Sequence, residues 1–359
     1  MVRQDVMLVI PSLSSGGAER VMVELAKKWA SSHKLNIHFV ILTDLEDFYS
    51  LPSEITVHRL GYPVSKTSKF SKALMIIRTM FRFRVLVRNI RPTFVLSFMT
   101  QTNIFSLFSL FGLNIRKIYS ERNMPKKIGK HFYSFITKYS SGMILQTQEL
   151  YSRLSQVGCD LKKLHVIPNP VAELNVDKYD LNRNYEILTI GRLVEQKGHR
   201  DLLHAFSIFV KLNPEYKLII LGKGPLKNEL IKYAKKLAIY DQVTFCDPIS
   251  NIESYYSRAK YFVLSSKREG FPNALLEAYC YGVPCISYDC LTGPADIISS
   301  SSEGLLVPIG DVESLAQAMH RFANEPDLLM GISQKSVESK KKYSIESISD
   351  KYLEVCLGR

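Results

Sequence analysis

The sequence has 359 residues, enough for two domains of ordinary size. Its hydrophobic content of 46%, with 18 Phe and 19 Tyr, supports complete hydrophobic cores and excludes a disordered chain. The net charge of +13 resides in the first half, because residues 1–170 hold 24 Lys and Arg against 10 Asp and Glu, whereas residues 171–359 hold 23 against 24. A basic half beside a neutral half predicts an anionic partner for the first half.

No stretch reaches the ~18 consecutive apolar residues that a membrane-spanning helix needs. The apolar run at residues 7–13 is too short for a signal peptide and is better explained as a first strand. We therefore expect a cytoplasmic protein, or one held peripherally on the cytoplasmic face of a membrane. Cys280, Cys285 and Cys290 are evenly spaced, but the helix and strand predicted around them point such side chains into a core. This pattern predicts reduced, buried thiols and no zinc site.

The first half alternates apolar runs of strand length with helix-like segments. Strands are predicted at residues 6–12, 36–43, 93–98, 117–123, 142–147 and 165–168. The first strand leads through Gly16 and Gly17 into a helix with apolar positions at Val21, Leu25 and Trp29. A glycine-rich turn at a helix start lets a backbone approach a phosphate or sugar, although a plain tight turn has the same sequence.

Residues 65–91 form a basic and apolar segment without an acidic residue, predicted to be helical. At 100° per residue, its arginines form one stripe and a neighbouring pair: Arg84, Arg88 and Arg91, with Arg78 and Arg82 beside them. An apolar stripe is predicted at Leu74, Ile77, Phe81 and Val85. Other apolar residues fall outside it and must pack on the domain: Phe83, Leu86 and Ile90. The segment is either a packed helix with a solvated basic edge or a helix that faces an anionic membrane.

The polar stretch at residues 173–184 predicts a domain boundary after residue 170. Further strands are predicted at residues 186–191, 217–221, 243–246, 261–265 and 283–288. Strands alternate with helices in each half of the chain. This pattern predicts an α/β protein of two doubly wound domains, with the ligand cleft between them.

The most informative stretch is residues 261–282. A strand is followed by a turn with Gly270 and Pro272, and Asn273 is placed to cap a helix from Ala274 to Tyr281 that stops at Gly282. Two carboxylates, at positions 269 and 277, fall in the loop and in the predicted first helical turn, where α/β folds bind ligands. The helix start suits a phosphate. The alternative is a solvated loop Glu and a Glu that interacts with its own helix dipole.

The run E-G-F-P-N-A-L-L-E from Glu269 to Glu277, followed by G-V-P-C-I-S-Y-D from Gly282, resembles the E-x7-E signature of family 4 retaining glycosyltransferases. These enzymes have the GT-B fold, with two Rossmann-like domains that face a cleft. The resemblance implies an acceptor-binding domain at residues 1–170 and a nucleotide-sugar-binding domain at residues 171–343. It also implies that the final helix, residues 344–359, crosses back to the first domain.

Arg192 and Lys197, in the run G-R-L-V-E-Q-K-G, could neutralise a diphosphate or be two surface cations. The resemblance implies that they clamp the donor diphosphate, that Glu277 holds the ribose and that Glu269 holds the transferred sugar. Catalytic roles are thereby expected for Glu269, Arg192 and Lys197. The donor-binding residues that it implies are Gly16, Gly17, Gly270, Phe271, Pro272, Asn273, Ala274, Leu275, Leu276 and Glu277.

The first half is also similar to the N-acetylgalactosaminyltransferases that elongate lipid-linked glycans. The similarity rests on G-G-A-E-R, L-S-F-M-T-Q-T-N and S-E-R-N. It implies a UDP-N-acetylhexosamine donor and an undecaprenyl-diphosphate-linked acceptor, in lipopolysaccharide or O-antigen synthesis on the inner face of the inner membrane. Arg122 stands where related enzymes often have a histidine near the donor sugar. The expected acceptor and membrane residues are Arg78, Arg82, Arg84, Arg88 and Arg122.

No metal or other cofactor is expected, because Arg192, Lys197 and the helix start can supply the positive charge. The D-L-E-D run at residues 44–47 is not expected to bind metal on an early surface loop. Two other hypotheses are a UDP-sugar epimerase of the same fold and a non-enzymatic anion-binding protein. Binding of nucleic acid is not expected, since no aromatic platform or reading helix accompanies the basic residues.

Overall fold

The computed structural model describes residues 3–14, 16–32, 34–62, 69–122, 129–171, 183–247 and 252–359. The chain divides into two compact units, Met1–Ala172 with Ser344–Arg359, and Glu173–Tyr343. Residues 173–182 of the predicted polar boundary and 65–68 of the predicted basic segment lie outside the described residues.

In the described part of the first unit, helices alternate with the strands of a parallel sheet. The strands are β1 (Gln4–Ile10), β2 (Leu35–Ile41), β3 (Thr56–Arg59), β4 (Phe94–Phe98), β5 (Arg116–Glu121), β6 (Gly142–Leu145) and β7 (Leu164–Val166). The helices are α1 (Gly17–Ser31), α2 (Lys69–Ile90), α3 (Thr100–Ser109), α4 (Lys130–Tyr139) and α5 (Gln148–Ser155). The strand order is β3-β2-β1-β4-β5-β6-β7.

The second unit repeats this architecture. Its described strands are β8 (Glu186–Ile190), β9 (Lys217–Leu221), β10 (Val243–Cys246), β11 (Tyr261–Leu264), β12 (Cys285–Tyr288) and β13 (Leu305–Val307), in the order β10-β9-β8-β11-β12-β13. Its described helices are α6 (His199–Phe209), α7 (Lys227–Lys236), α8 (Glu253–Arg258), α9 (Asn273–Cys280), α10 (Pro294–Ile297), α11 (Val312–Asn324) and α12 (Pro326–Ser339). The last helix, α13 (Ile345–Leu357), belongs to the first unit.

Burial on both faces explains the continuous apolar runs of the central strands. Residues 6–10 of β1 have no exposed surface, because helices cover both sides of a parallel sheet. On one side, α1 buries the predicted positions Val21, Leu25 and Trp29. The Trp29 indole donates a hydrogen bond to Ser349 Oγ of α13 at 2.8 Å. This contact confirms that the final helix packs on the first domain.

Two sequence-based expectations about α9 need correction. Asn273 is the first helical residue, and Pro272 takes the cap position with an extended ψ of 94° and no side-chain hydrogen bond. The proline ring restricts φ to values compatible with a helix entry, so the helix begins directly after it. Glu277 consequently lies in the second helical turn instead of the first. Gly282, with φ of +67°, follows the end of α9 as predicted.

The 22-residue helix α2 packs on the first unit through only part of its surface. Phe83 and Val87 are buried in a core cluster, and Leu86 and Ile90 pack against it. The prediction that part of this segment packs on the domain is therefore confirmed. Within the described residues, no helix combines the length and hydrophobicity needed to cross a membrane. All six cysteines are free, and Cys280, Cys285 and Cys290 are buried as predicted.

Candidate active site

The predicted donor residues of the second unit meet at the carboxyl ends of β8 and β11. These two strands are neighbours, and the strand order reverses between them. In doubly wound sheets such a switch point opens a crevice in which ligands bind. The loop after β8 carries Arg192 and Lys197, and the loop after β11 carries Glu269. The topology therefore brings the three predicted catalytic residues to one place.

Lys197 and Glu269 form an ion pair between the two loops. The Lys197 Nζ donates to Glu269 Oε1 at 2.5 Å, and the two side chains are 18% and 8% exposed. Backbone and side-chain hydrogen bonds hold the loops together around the pair. Lys267 N donates to the Gln196 carbonyl at 2.9 Å, and Gln196 Nε2 donates to the Arg268 carbonyl at 2.7 Å. These hydrogen bonds fix the positions of the two loops that carry the ion pair.

Gly198 permits the close approach of these loops. It adopts φ of +63°, and a Cβ on this residue would lie 2.0 Å from the Ser265 carbonyl oxygen. A side chain would therefore push the two loops apart. Ser265 Oγ also donates to the Lys197 carbonyl at 3.0 Å. Gly198 therefore supplies the backbone conformation that allows the neighbouring Lys197 to reach Glu269.

A third loop, between β12 and α10, supports the turn at residues 269–272. Thr292 Oγ1 donates to the Glu269 carbonyl at 2.5 Å. A Cβ on Gly293 would lie 2.4 Å from Pro272 Cδ. Thr292 and Gly293 therefore hold the turn that precedes α9 in place.

Glu277 is held by a tyrosine that sequence reasoning missed. The Tyr256 hydroxyl donates to Glu277 Oε2 at 3.0 Å and lies 3.3 Å from the Ala274 carbonyl oxygen. Tyr256 has no exposed surface and stacks on Tyr281 with ring centroids 4.9 Å apart. In the sequence, a tyrosine on a short helix is typical of a core residue, so no local signal separated it from the other buried tyrosines.

Arg192 is exposed on the loop after β8, and His199 supports its backbone. The His199 Nε2 lies 3.3 Å from the Arg192 carbonyl oxygen, which can only accept, so this nitrogen carries the proton. Burial lowers the pKa of His199 to about 4. The imidazole is therefore neutral at pH 7 and acts as a fixed hydrogen-bond donor.

In the first unit, Gly16 and Gly17 begin α1. Gly16 takes the cap position, and a Cβ there would lie 2.0 Å from Glu19 Oε2. The Glu19 carboxylate folds back over the turn and accepts from Ser14 Oγ at 3.1 Å. Burial raises the pKa of Glu19. A side chain at position 16 would therefore require the carboxylate end of Glu19 to move.

Arg122 lies in the interior of the first unit at the carboxyl end of β5. Its Nη1 donates to the Tyr352 hydroxyl at 2.8 Å, and its Nη2 donates to Asn169 Oδ1. The guanidinium also stacks over the Phe98 ring, 4.5 Å from the centroid. Arg122 is thus buried in a network of side chains of the first unit, whereas the other predicted acceptor residues lie on α2.

The predicted arginines of α2 differ in their surroundings. Arg78, Arg82 and Arg88 are exposed. Arg84 is half-buried, and its Nη1 donates to the carbonyls of Ser109 and Phe111, each at 2.8 Å. Arg84 therefore satisfies carbonyl groups at the end of α3.

The apolar stripe predicted on α2 lies on its outer surface. The predicted residues Leu74, Ile77, Phe81 and Val85 are 60%, 62%, 65% and 37% exposed. Phe70, which was not part of the prediction, extends the row and is 81% exposed. Large exposed apolar residues in a row usually mark an interaction surface. We call this row, together with Val85, the α2 stripe.

Within the described residues, no group of three or more His, Cys, Asp and Glu side chains is arranged to hold a metal ion. Of the D-L-E-D run, Asp47 pairs with Arg59 of β3.

Comparisons with known proteins identify the family. Residues 15–173 match the model of Glycosyltransferase Family 4, and residues 173–339 match that of Glycosyl transferases group 1. An uncharacterised glycosyltransferase of Haemophilus influenzae is 25% identical over 94% of this chain and 96% of that protein. A Campylobacter jejuni alpha-1,4-N-acetyl-D-galactosaminyltransferase, named for an undecaprenol-PP-linked glycan, is 27% identical over 97% of this chain and 96% of its own.

Solved structures confirm the predicted GT-B fold. Sucrose-phosphate synthase of Thermosynechococcus elongatus superimposes with a TM-score of 0.82, at 16% identity, over 98% of both chains. Anabaena HepE in complex with UDP and glucose gives a TM-score of 0.80, at 15% identity, over 98% of this chain and 99% of its own. The chain belongs to the glycosyltransferases, with an amino-terminal part of family 4 and a carboxy-terminal part of group 1.

Proposed function

We propose that the protein is a retaining transferase that moves an N-acetylhexosamine, such as N-acetylgalactosamine, from a UDP-sugar to an undecaprenyl-diphosphate-linked oligosaccharide. The reaction would contribute to a bacterial surface polysaccharide. The observation that carries the donor part is the Lys197–Glu269 pair at the switch point of the second sheet. The names of the Campylobacter relatives support the acceptor class.

Lys197 can bind phosphate without leaving Glu269. An ammonium has three donors, and one of them is used by the carboxylate. The remaining two can reach phosphate oxygens, and Arg192 on the same loop adds a bidentate guanidinium. The amino-terminal amides of α9 supply further positive potential. These groups would stabilise the charge that develops on the leaving UDP.

The two glutamates can accept hydrogen bonds from hydroxyl groups. An ionised carboxylate offers about four lone-pair positions. Tyr256 donates to Glu277, and Lys197 donates to Glu269. Glu277 would then bind the ribose hydroxyls and Glu269 a hydroxyl of the transferred sugar. Buried neighbours fix both carboxylates before the donor arrives, which lowers the entropy cost of binding.

The chemical step that we propose is displacement on the same face of the sugar. The acceptor hydroxyl forms the new bond to the anomeric carbon, the bond to the UDP oxygen breaks, and the leaving phosphate takes the acceptor proton. Arg192 and Lys197 replace the charge that a divalent cation would supply. We therefore expect transfer to continue in EDTA, and a strict requirement for Mg²⁺ or Mn²⁺ would contradict this part of the proposal.

The α2 stripe supports attachment of the first unit to the anionic inner face of the bacterial inner membrane. A helix with exposed apolar residues on one side and arginines beside them suits the interface of a bilayer. Arg78 and Arg88 are exposed and free of acidic neighbours on α2. They would meet lipid headgroups or the diphosphate of the acceptor, each contributing roughly 1 kcal/mol.

A panel of UDP-sugars with a short synthetic lipid-diphosphate glycan tests the function. Mass spectrometry identifies the product, and NMR of its new anomeric proton shows whether the configuration is retained. We expect transfer from UDP-N-acetylgalactosamine or UDP-N-acetylglucosamine. Interconversion of these two donors without acceptor would favour an epimerase. Failure of every donor to bind would overturn the proposal.

A further inference from the structure

The connection between β2 and β3 borders an open cavity in the first unit. The cavity has a volume of about 530 Å³ and is lined by Leu13, Asp47, Phe48, Tyr49, Val57 and Arg59, among others. Pockets of this size commonly hold small-molecule ligands. None of the roles discussed so far uses it.

The register of the sheet explains why the cavity exists. Val57 and Arg59 of β3 lie opposite Phe39 and Ile41 of β2. Phe39 and Ile41 are covered by the core that α1 completes, whereas Val57 and Arg59 at the sheet edge are exposed. The connection folds back over this edge, and Phe48 N donates to the Leu13 carbonyl at 2.8 Å. This hydrogen bond attaches the β2–β3 connection, which forms one wall of the cavity, to the segment that precedes Gly16.

The lining combines an aromatic face with an ion pair. Phe48 is 68% exposed, although its backbone is anchored. Asp47 and Arg59 pair through Asp47 Oδ2 and Arg59 Nη2. A carboxylate beside a guanidinium presents an acceptor and donors to adjacent hydroxyl groups. An aromatic ring packs against the C–H face of a pyranose, because its π face carries partial negative charge. Together these groups match a sugar ring.

We propose that this cavity is a carbohydrate subsite that holds a sugar residue of the acceptor glycan. The inference rests on the proposed function. The cavity lies at β3, two strands from the β1 end that precedes the glycine turn. That spacing is about 10 Å, the length of roughly two strand intervals. A sugar bound there would help to select the glycan to be extended.

Saturation-transfer NMR on the full chain tests the subsite directly. The probe is the methyl glycoside of an α-linked N-acetylgalactosamine trisaccharide, without lipid or diphosphate. We expect saturation of its ring protons by the wild type and loss of this signal in Phe48→Ala. The control is Leu45→Ala, because Leu45 is 46% exposed on the same connection but does not line the cavity.

Kinetics separates this inference from the proposed function. Phe48→Ala should raise KM for the lipid-diphosphate glycan roughly tenfold, the effect of losing one good contact. KM for the UDP-sugar should stay unchanged. If Phe48→Ala matches the wild type in trisaccharide signal and acceptor KM, the subsite is wrong while the transferase function stands. If decyl phosphate saturates the site and the trisaccharide does not, the cavity binds the lipid part and the sugar assignment is overturned.

Discussion

The ammonium of Lys197 donates to the carboxylate of Glu269 at 2.5 Å, joining loops that follow two adjacent strands. Both groups are largely withdrawn from water. Each charge therefore depends on the other, and loss of one partner leaves the other buried without compensation. The pair joins two residues that are 72 positions apart in the sequence, and it fixes both side chains of the proposed donor site in advance.

Replacement of Lys197 should damage both stability and catalysis. In Lys197→Met, the Glu269 carboxylate loses its partner, which we expect to lower unfolding free energy by on the order of 3 kcal/mol. Transfer should fall more than tenfold, because a charge-assisted contact contributes roughly 1.5–3 kcal/mol. The double variant Lys197→Met with Glu269→Gln should recover much of the stability and none of the activity. Denaturant melts and turnover of UDP-sugar measure the two effects.

A control variant distinguishes the effect of breaking the buried Lys197–Glu269 pair from the effect of losing any one lysine charge. Lys227 forms a more exposed pair with Asp247 on the same unit, at 2.9 Å. Lys227→Met should change neither turnover nor stability substantially, since exposed ion pairs contribute little. Full activity in a folded Lys197→Met variant would remove this residue from the donor site.

Tyr256→Phe should weaken donor binding without unfolding the second unit. The change removes the hydrogen bond to Glu277 but keeps the ring that stacks on Tyr281. We expect KM for the UDP-sugar to rise roughly tenfold with a smaller change in kcat, because the carboxylate loses its orientation. Glu277→Ala should reduce transfer further. Tyr288→Phe, which removes another buried hydroxyl of this unit, is the control. Equal donor KM in Tyr256→Phe and Tyr288→Phe would contradict the positioning role.

Buried His199 predicts an acid-sensitive second unit. Its folded-state pKa of about 4 lies below the ordinary 6.5, because burial disfavours the charged ring. The neutral His199 ring therefore makes its full contribution to the free energy of unfolding above pH 6.5. This contribution is lost as the pH falls toward 4, because the unfolded chain takes up a proton that the folded chain does not. The loss from pH 7 to pH 5 is on the order of 2 kcal/mol. His199→Gln should flatten this dependence, measured by hydrogen exchange of second-unit peptides. His204→Gln, exposed on the same helix, should retain it.

The alternation of apolar runs predicted most of the strands, because parallel strands buried on both faces are continuously hydrophobic. It did not predict β13, a strand of only three residues, or β3, whose residues 56–59 are mostly polar and exposed at the sheet edge. Because β3 was not predicted, the cavity that it lines was not predicted either. Edge strands have one unpaired side and less burial, so their sequences carry little of the apolar pattern.

The site residues were predictable where a motif placed charges at strand ends, as with Lys197 and Glu269. Their direct pairing was not, because it depends on which strands become neighbours in the sheet. Tyr256 supports Glu277 from another helix, a contact that no local pattern encodes. The burial of Arg122 depends on Tyr352 of α13, which lies 230 residues away.

The arginines of α2 are not equivalent, although the sequence presents them as one set. Arg84 donates to two carbonyls of the α3 end, so its replacement would disturb packing as well as charge. Arg78 and Arg88 are exposed. At 100° per residue, Arg88 lies in line with Phe70, and Arg78 lies beside Leu74. Arg88 therefore continues the α2 stripe and Arg78 borders it, so these two arginines are the better probes of membrane contact.

The double variant Arg78→Glu with Arg88→Glu should weaken binding to vesicles that contain anionic lipid. Loss of two attractions of roughly 1 kcal/mol each corresponds to about a thirtyfold loss of affinity, and repulsion of the new carboxylates by the anionic lipid adds to it. KM for a lipid-diphosphate acceptor should rise, and KM for the UDP-sugar should not change, because the proposed donor residues Lys197 and Glu277 belong to the other unit. The control reverses two exposed lysines of α7, Lys232→Glu with Lys236→Glu, and should bind vesicles normally. Vesicle co-sedimentation measures the binding. Equal binding by both double variants and the wild type would mean that α2 serves only to pack on the first unit, and membrane attachment would lose its support.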